Sequence, residues 1–140
     1  MKNVFILILV MATSCIKEPI GDSTVTRLIN NSGHSIEMQI YRNGEFQSVT
    51  IIDNNKTKEY RYGGEAGAVG TTLPPFSADS VRIIYYEKAS IWHTKDENSP
   101  VSRSLMLESS YEGGKTGDNT YEFTYTFTPE DFEEALKFGE

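Results

Sequence analysis

The chain has 140 residues, with 13 Lys or Arg against 20 Asp or Glu, for a net charge of −7 with histidine neutral. That length favours a single domain, and that charge argues against a nucleic-acid partner, whose phosphates call for clustered Lys and Arg. A single cysteine rules out an internal disulfide, and two histidines leave too few ligands for an ordinary zinc site.

Lys2 gives a short positive start, and Val4 to Ala12 then reads V-F-I-L-I-L-V-M-A without a charge. As a helix this run is about 14 Å long at 1.5 Å per residue. A bilayer core is about 30 Å thick, so the run is too short to span it. It has the size of a signal-peptide apolar region. Small residues Ala12, Thr13 and Ser14 lead to Cys15. The sequence M-A-T-S-C resembles the lipobox cut by lipoprotein signal peptidase, with Ala12 where Leu is usual. The resemblance implies removal of residues 1–14, lipidation of Cys15 and attachment to a membrane through its acyl chains. More than one such chain makes attachment stable. Ile16-Lys17-Glu18 resembles the short Lys-plus-acid export signal of Bacteroidetes lipoproteins. That likeness implies display at the surface of the outer membrane, with Lys17 and Glu18 carrying the signal. No other apolar stretch reaches the length of about 18 residues that a spanning helix needs. Residues 1–14 hold Lys2 and no acid, so the mature chain is more acidic still, which disfavours direct adhesion to anionic lipid.

Residues 15–23 read as the lipidated cysteine and a polar tether broken by Pro19 and Gly21. From Thr24 to Glu140 the pattern is that of one β-rich domain. Thr24 to Asn30 is a candidate strand, Asn31-Ser32-Gly33 a turn, and His34 to Arg42 an alternating strand with Ile36, Met38 and Ile40 on one face. Asn43-Gly44 predicts a two-residue type I′ hairpin turn, because both residues readily take positive φ. An uninterrupted hairpin then pairs Tyr41 with Phe46, Met38 with Val49 and Ile36 with Ile51. That register makes Val49 and Ile51 core residues.

Asp53-Asn54-Asn55 is another turn, and Lys56 to Tyr62 a strand with Tyr60 and Tyr62 on one side. Residues 63–78 are rich in Gly and Pro and read as a loop. Val81 to Tyr86 is almost continuously apolar and suits a central strand covered on both faces. A short strand follows at Ser90 to His93, then a polar loop over 94–103, a short buried segment at Leu105-Met106-Leu107, and a turn-rich loop from Gly113 to Asn119. In the last strand Tyr121, Phe123, Tyr125 and Phe127 share a face and belong to the core, since a domain of this size needs one large apolar face. Thr128-Pro129-Glu130-Asp131 then opens a helix with an N-cap, a proline and first-turn acids. Phe132, Ala135 and Leu136 share its docking face, and Gly139 marks its stop.

Chemistry-bearing motifs are scarce. His34 and His93 lie in different strands. Asp96-Glu97-Asn98 and Gly117-Asp118-Asn119 are oxygen-rich turns without the spacing of a calcium loop, so no metal or other cofactor is expected. No nucleophile elbow, P-loop or dinucleotide fingerprint is present. With 20 acids in the chain, a pair of carboxylates drawn from distant strands is the form a hydrolase would take. Tyr41 and Phe46 form the candidate binding patch: they share the hairpin's otherwise polar face beside its turn. They are either covered by the 63–78 loop or exposed to a protein or a sugar. Asp22-Ser23-Thr24 and Asp79-Ser80-Val81 each resemble the Asp-Ser/Thr-apolar motif of Bacteroidetes O-glycosylation. Ser23 is the better candidate, because Ser80 opens a buried strand.

Cys15, the Asn31-Ser32-Gly33 turn, Asp79 to Tyr85 and Tyr125 to Phe132 together resemble small Bacteroidetes lipoproteins, a likeness that implies no activity. The fold expected is an all-β, immunoglobulin-like sandwich of about seven strands with a short C-terminal helix. The function expected is that of a non-enzymatic binding or accessory module for protein or glycan, anchored in the outer membrane at the cell surface. A small cell-envelope hydrolase and a periplasm-facing structural lipoprotein are the alternatives.

Overall fold

The computed structural model describes residues 21–64, 73–86 and 88–139. Cys15, Lys17, Glu18 and most of the expected tether lie outside the described residues. Eight strands, β1 (Ser23–Asn30), β2 (Ile36–Arg42), β3 (Glu45–Ile52), β4 (Lys56–Gly63), β5 (Ser80–Tyr85), β6 (Ala89–Thr94), β7 (Glu112–Gly117) and β8 (Thr120–Phe127), precede one helix, α1 (Pro129–Phe138). Two four-stranded sheets, in the orders β4-β1-β8-β7 and β3-β2-β5-β6, pack face to face as an all-β sandwich. Every neighbouring pair is antiparallel except β1 and β8, the first and last strands, which run parallel.

Strict alternation builds the core. In β8, Phe123, Tyr125 and Phe127 are buried while Glu122, Thr124 and Thr126 face outward. From the opposing sheet, Ile36 and Met38 of β2 and Val81, Ile83 and Tyr85 of β5 join Tyr125 and Phe127 in one core cluster, which Leu28 of β1 completes. Only one face of β5 is sealed, because Arg82 and Ile84 on its other side are half-buried. The eighth strand is β7, where the sequence reads as a loop. Gly113, at φ +119, lies so close to Glu122 that a Cβ there would meet the Glu122 carbonyl oxygen, so the glycine is what permits the pairing.

The Asn43-Gly44 turn has the expected positive φ at both residues, 52° and 76°, and Tyr41 pairs with Phe46. Beyond that pair the expected register fails. A β-bulge inserts Gln47, so Ile40 faces Ser48, Met38 faces Thr50 and Ile36 faces Ile52. One extra residue swaps the two faces of a strand. Ile52 therefore enters the core, while Val49 and Ile51 stand on the outer surface.

Ser23 is the first residue of β1 rather than part of a tether, with its backbone N–H bonded to the Asn119 carbonyl at 2.8 Å. At the other end of the chain, Asp131 accepts the Thr128 backbone N–H at 2.8 Å and closes the first turn of α1. Its carboxylate also pairs with Arg103 at 2.6 Å, tying the 94–111 connection to the helix. Phe132 stacks on His34 and Tyr85 and Ala135 is buried, but Leu136 is exposed, so the docking face is narrower than the spacing predicts. The helix packs against β6, the edge strand of the second sheet.

Candidate binding face

The outer surface of the β3-β2-β5-β6 sheet is built in three rows set by strand register. Phe46, Tyr41, Ser80 and Thr94 form the first; Val49, Gln39, Arg82 and Trp92 the second; Ile51, Glu37, Ile84 and Ser90 the third. Three aromatic rings join across the first two rows. Tyr41 meets Phe46 edge-on with centroids 5.9 Å apart, and meets Trp92 at 5.0 Å. The small Ser80 between β2 and β6 leaves room for that diagonal contact. The Arg82 guanidinium lies 5.9 Å from the Trp92 ring and donates to the Ser90 hydroxyl at 2.9 Å.

A polar spine crosses the rows along β2. The Tyr41 hydroxyl donates to Gln39 Oε1 at 3.0 Å, and Gln39 Nε2 donates to Glu37 Oε1 at 2.7 Å. Aliphatic and aromatic groups flank this spine and stay open to solvent: Phe46 is 56% exposed, Val49 49% and Ile51 66%. Past the third row lies a groove of about 420 Å³ between Ile51, Ile84 and Tyr86, with Glu37 and Asp53 at its polar side. Asp53 Oδ1 accepts the Ser35 hydroxyl at 2.9 Å. Tyr86 is 68% exposed and holds φ at +43°, a conformation that is unfavourable for a bulky side chain. A second depression of about 270 Å³ lies at the far margin, between Trp92, Asp96, Asn98 and Phe138.

Of the residues predicted from sequence, Tyr41 and Phe46 are brought together here, with Tyr41 half-buried under Trp92 and Phe46 open. Of the described residues of the 63–78 loop (63, 64 and 73–78), Phe76 meets Tyr60, the Pro75 carbonyl accepts from the Tyr62 hydroxyl, and the Ser77 hydroxyl accepts from the Arg42 guanidinium beside the hairpin turn. Sequence reading missed Val49, Ile51, Ile84, Tyr86 and Trp92. Alternation within β5 was the available signal for Ile84; for Val49 and Ile51 the bulge hides it.

His34 and His93 are not brought together for metal. His34 lies against Phe132, while His93 is buried with its Nδ1 accepting the Leu105 N–H at 3.0 Å. Burial, and secondarily the Arg103 charge, pushes the His93 pKa down to about 4, so the ring is neutral. Among the described residues no three His, Cys, Asp or Glu side chains form a metal cluster. No helix among them is long and apolar enough to cross a membrane. Asp96 is used locally, accepting the Asn98 backbone N–H at 2.9 Å. Compared with known protein families, with curated proteins and with solved structures, the chain matches none.

Proposed function

We propose that this chain is a non-catalytic binding module that meets a protein or glycan through the outer face of the β3-β2-β5-β6 sheet. The observation that carries the reading is the exposed run of Phe46, Val49, Ile51 and Tyr86 on one side of the sheet. Apolar groups gathered this way, and backed by a cluster of three rings and a hydrogen-bonded polar spine, suit an interaction surface better than a bare solvent face. Rings such as Phe46 and Tyr86 are also the side chains in which binding energy concentrates.

The same reading makes the chain a lipoprotein of Bacteroidetes type, cut before Cys15, anchored in the outer membrane through that residue and carried to the surface by Lys17-Glu18. Its support is the apolar run ending in M-A-T-S-C and the Lys-plus-acid pair behind it. Radiolabelled palmitate should mark the wild-type chain and not Cys15→Ser. Added protease should remove the domain from intact cells, and changing Lys17 and Glu18 to Ala should protect it.

A hydrolase would draw on Glu37 and Asp53, the two carboxylates of the groove. General-acid work needs a carboxyl kept protonated by burial. Asp53 is exposed, and Glu37 is half-buried and bonded to Gln39, an arrangement that suits ligand contact. Two results separate the readings: capture of ligand without turnover by the unsubstituted chain supports the module, and a hydrolysis by that chain that is abolished when both acids become amides supports the enzyme.

A further inference from the structure

The sandwich has four edge strands, and three of them are guarded against pairing with another chain. β4 carries Lys56, Lys58, Glu59 and Arg61; β7 is short and contains Gly113, Gly114 and Lys115; α1 packs along β6. Charges, glycine-rich short strands and covering helices are the devices by which proteins blunt sheet edges. β3 has only its bulge and one charge, Glu45, at the end beside the turn. From Phe46 to Ile52 it reads F-Q-S-V-T-I-I, without charge, proline or glycine, and among the described residues it pairs with β2 alone. Its residues from Glu45 to Val49 and Ile51 are exposed.

We propose that β3 pairs antiparallel with β3 of a second copy of this chain, joining the two outer faces into one continuous eight-stranded platform. Residues 48–52 carry no charge and can pair in full with a second copy of themselves about Thr50, which selects both the occupant and the register. With Thr50 on the two-fold axis, Val49 faces the partner's Ile51 and Ser48 faces the partner's Ile52. No charge lies within the paired span, and Val49 and Ile51 each gain an aliphatic cross-strand neighbour while the outer face stays open. Moving the axis to Val49 would set Ile51 against the partner's bulged Gln47 and shorten the regular ladder. The bulge at Gln47 confines regular pairing to residues 48–52. This assembly stands on the backbone and charge pattern of the edge, independently of what the face binds.

The test uses the full chain in its membrane, with Thr50→Cys as the probe. Opposed residues in an antiparallel pair have Cα atoms about 4.5–5.5 Å apart, within the span a disulfide bridges. A covalent dimer should form above the wild-type background under mild oxidation. Thr57→Cys, on the guarded β4 edge, should give none, and adding Val49→Lys with Ile51→Lys to Thr50→Cys should abolish the dimer. Absence of the Thr50→Cys dimer, or equal cross-linking at Thr57→Cys, overturns the proposal. Because Thr50→Cys disturbs a half-buried position, the unsubstituted chain is also weighed in detergent: a dimer mass supports the pairing, and a monomer alone overturns it.

Discussion

The Ser32 hydroxyl donates to Asn30 Oδ1 at 2.7 Å inside the closed end of the sandwich, and the Ser32 backbone N–H reaches the same oxygen at 3.1 Å. Asn30 Nδ2 donates in turn to the carbonyls of His34 and Ile52, both at 2.7 Å. One fully buried carboxamide thus ties β1, the following turn and the end of β3 together. Asn30→Asp keeps the shape and the acceptor but removes both donors and places a charge in the core. Losing buried partners in this way costs about 2–4 kcal/mol. Urea unfolding measures it, and an unchanged midpoint would mean that the cluster is not closed as described.

His93 gives the fold a pH dependence of definite sign. Its folded pKa is about 4, below an unfolded value of about 6.5. Above the unfolded value the ring is neutral in both states and favours neither. As pH falls from there towards 4, the unfolded chain takes up a proton that the folded chain refuses, and stability drops by on the order of 3 kcal/mol. His93→Asn retains an acceptor for the Leu105 N–H and should remove this component. Wild type and variant losing stability in parallel between pH 6.5 and 4 would refute the assignment.

Gly44 occupies the second position of the hairpin turn at φ +76°, with open space where a Cβ would be. Gly44→Val therefore probes backbone strain alone and should cost on the order of 1–3 kcal/mol. A melting temperature equal to wild type would contradict the turn.

Tyr86 predicts the opposite sign. Its positive φ is unfavourable for a tyrosine, and its ring is largely in solvent. Tyr86→Gly should stabilise the domain by about 1 kcal/mol through relief of that strain while weakening capture of ligand at the groove. Destabilisation would show that the ring packs on the groove walls and contributes to the fold.

Much of this architecture is legible in the sequence, because side chains at every second position declare a buried face. Tyr121 to Phe127 announce β8, and Asn43-Gly44 and Thr128-Pro129 mark a turn and a helix start. The bulge at Gln47 leaves no such mark. Val49 and Ile51 alternate with the polar Ser48 and Thr50, so the pattern favours the face that in fact points outward, and only the bulged pairing brings Ile52 into the core. Gly113 and Gly114 look like loop residues because β7 is held through its backbone. The parallel partnership of β1 and β8 joins the two ends of the domain, beyond the reach of any local pattern. Tyr41 and Phe46 emerged from hairpin geometry, whereas Trp92 joins them only through a sheet order that places β6 two strands from β2.

The outer face of the β3-β2-β5-β6 sheet as the binding surface is the central claim, and paired substitutions on cells test it most directly. One variant carries Phe46→Ser, Ile51→Ser and Tyr86→Ser. The other carries Arg61→Ser, Lys115→Ser and Thr124→Ala on the opposite sheet. Each is displayed as the full chain and scored for capture of arrayed glycans and of purified envelope proteins, with thermal unfolding followed in parallel. The first variant should lose whatever the wild type captures while still melting as a folded domain, and the second should capture as the wild type does. Capture that survives the first set and disappears with the second would place the binding surface on the other sheet.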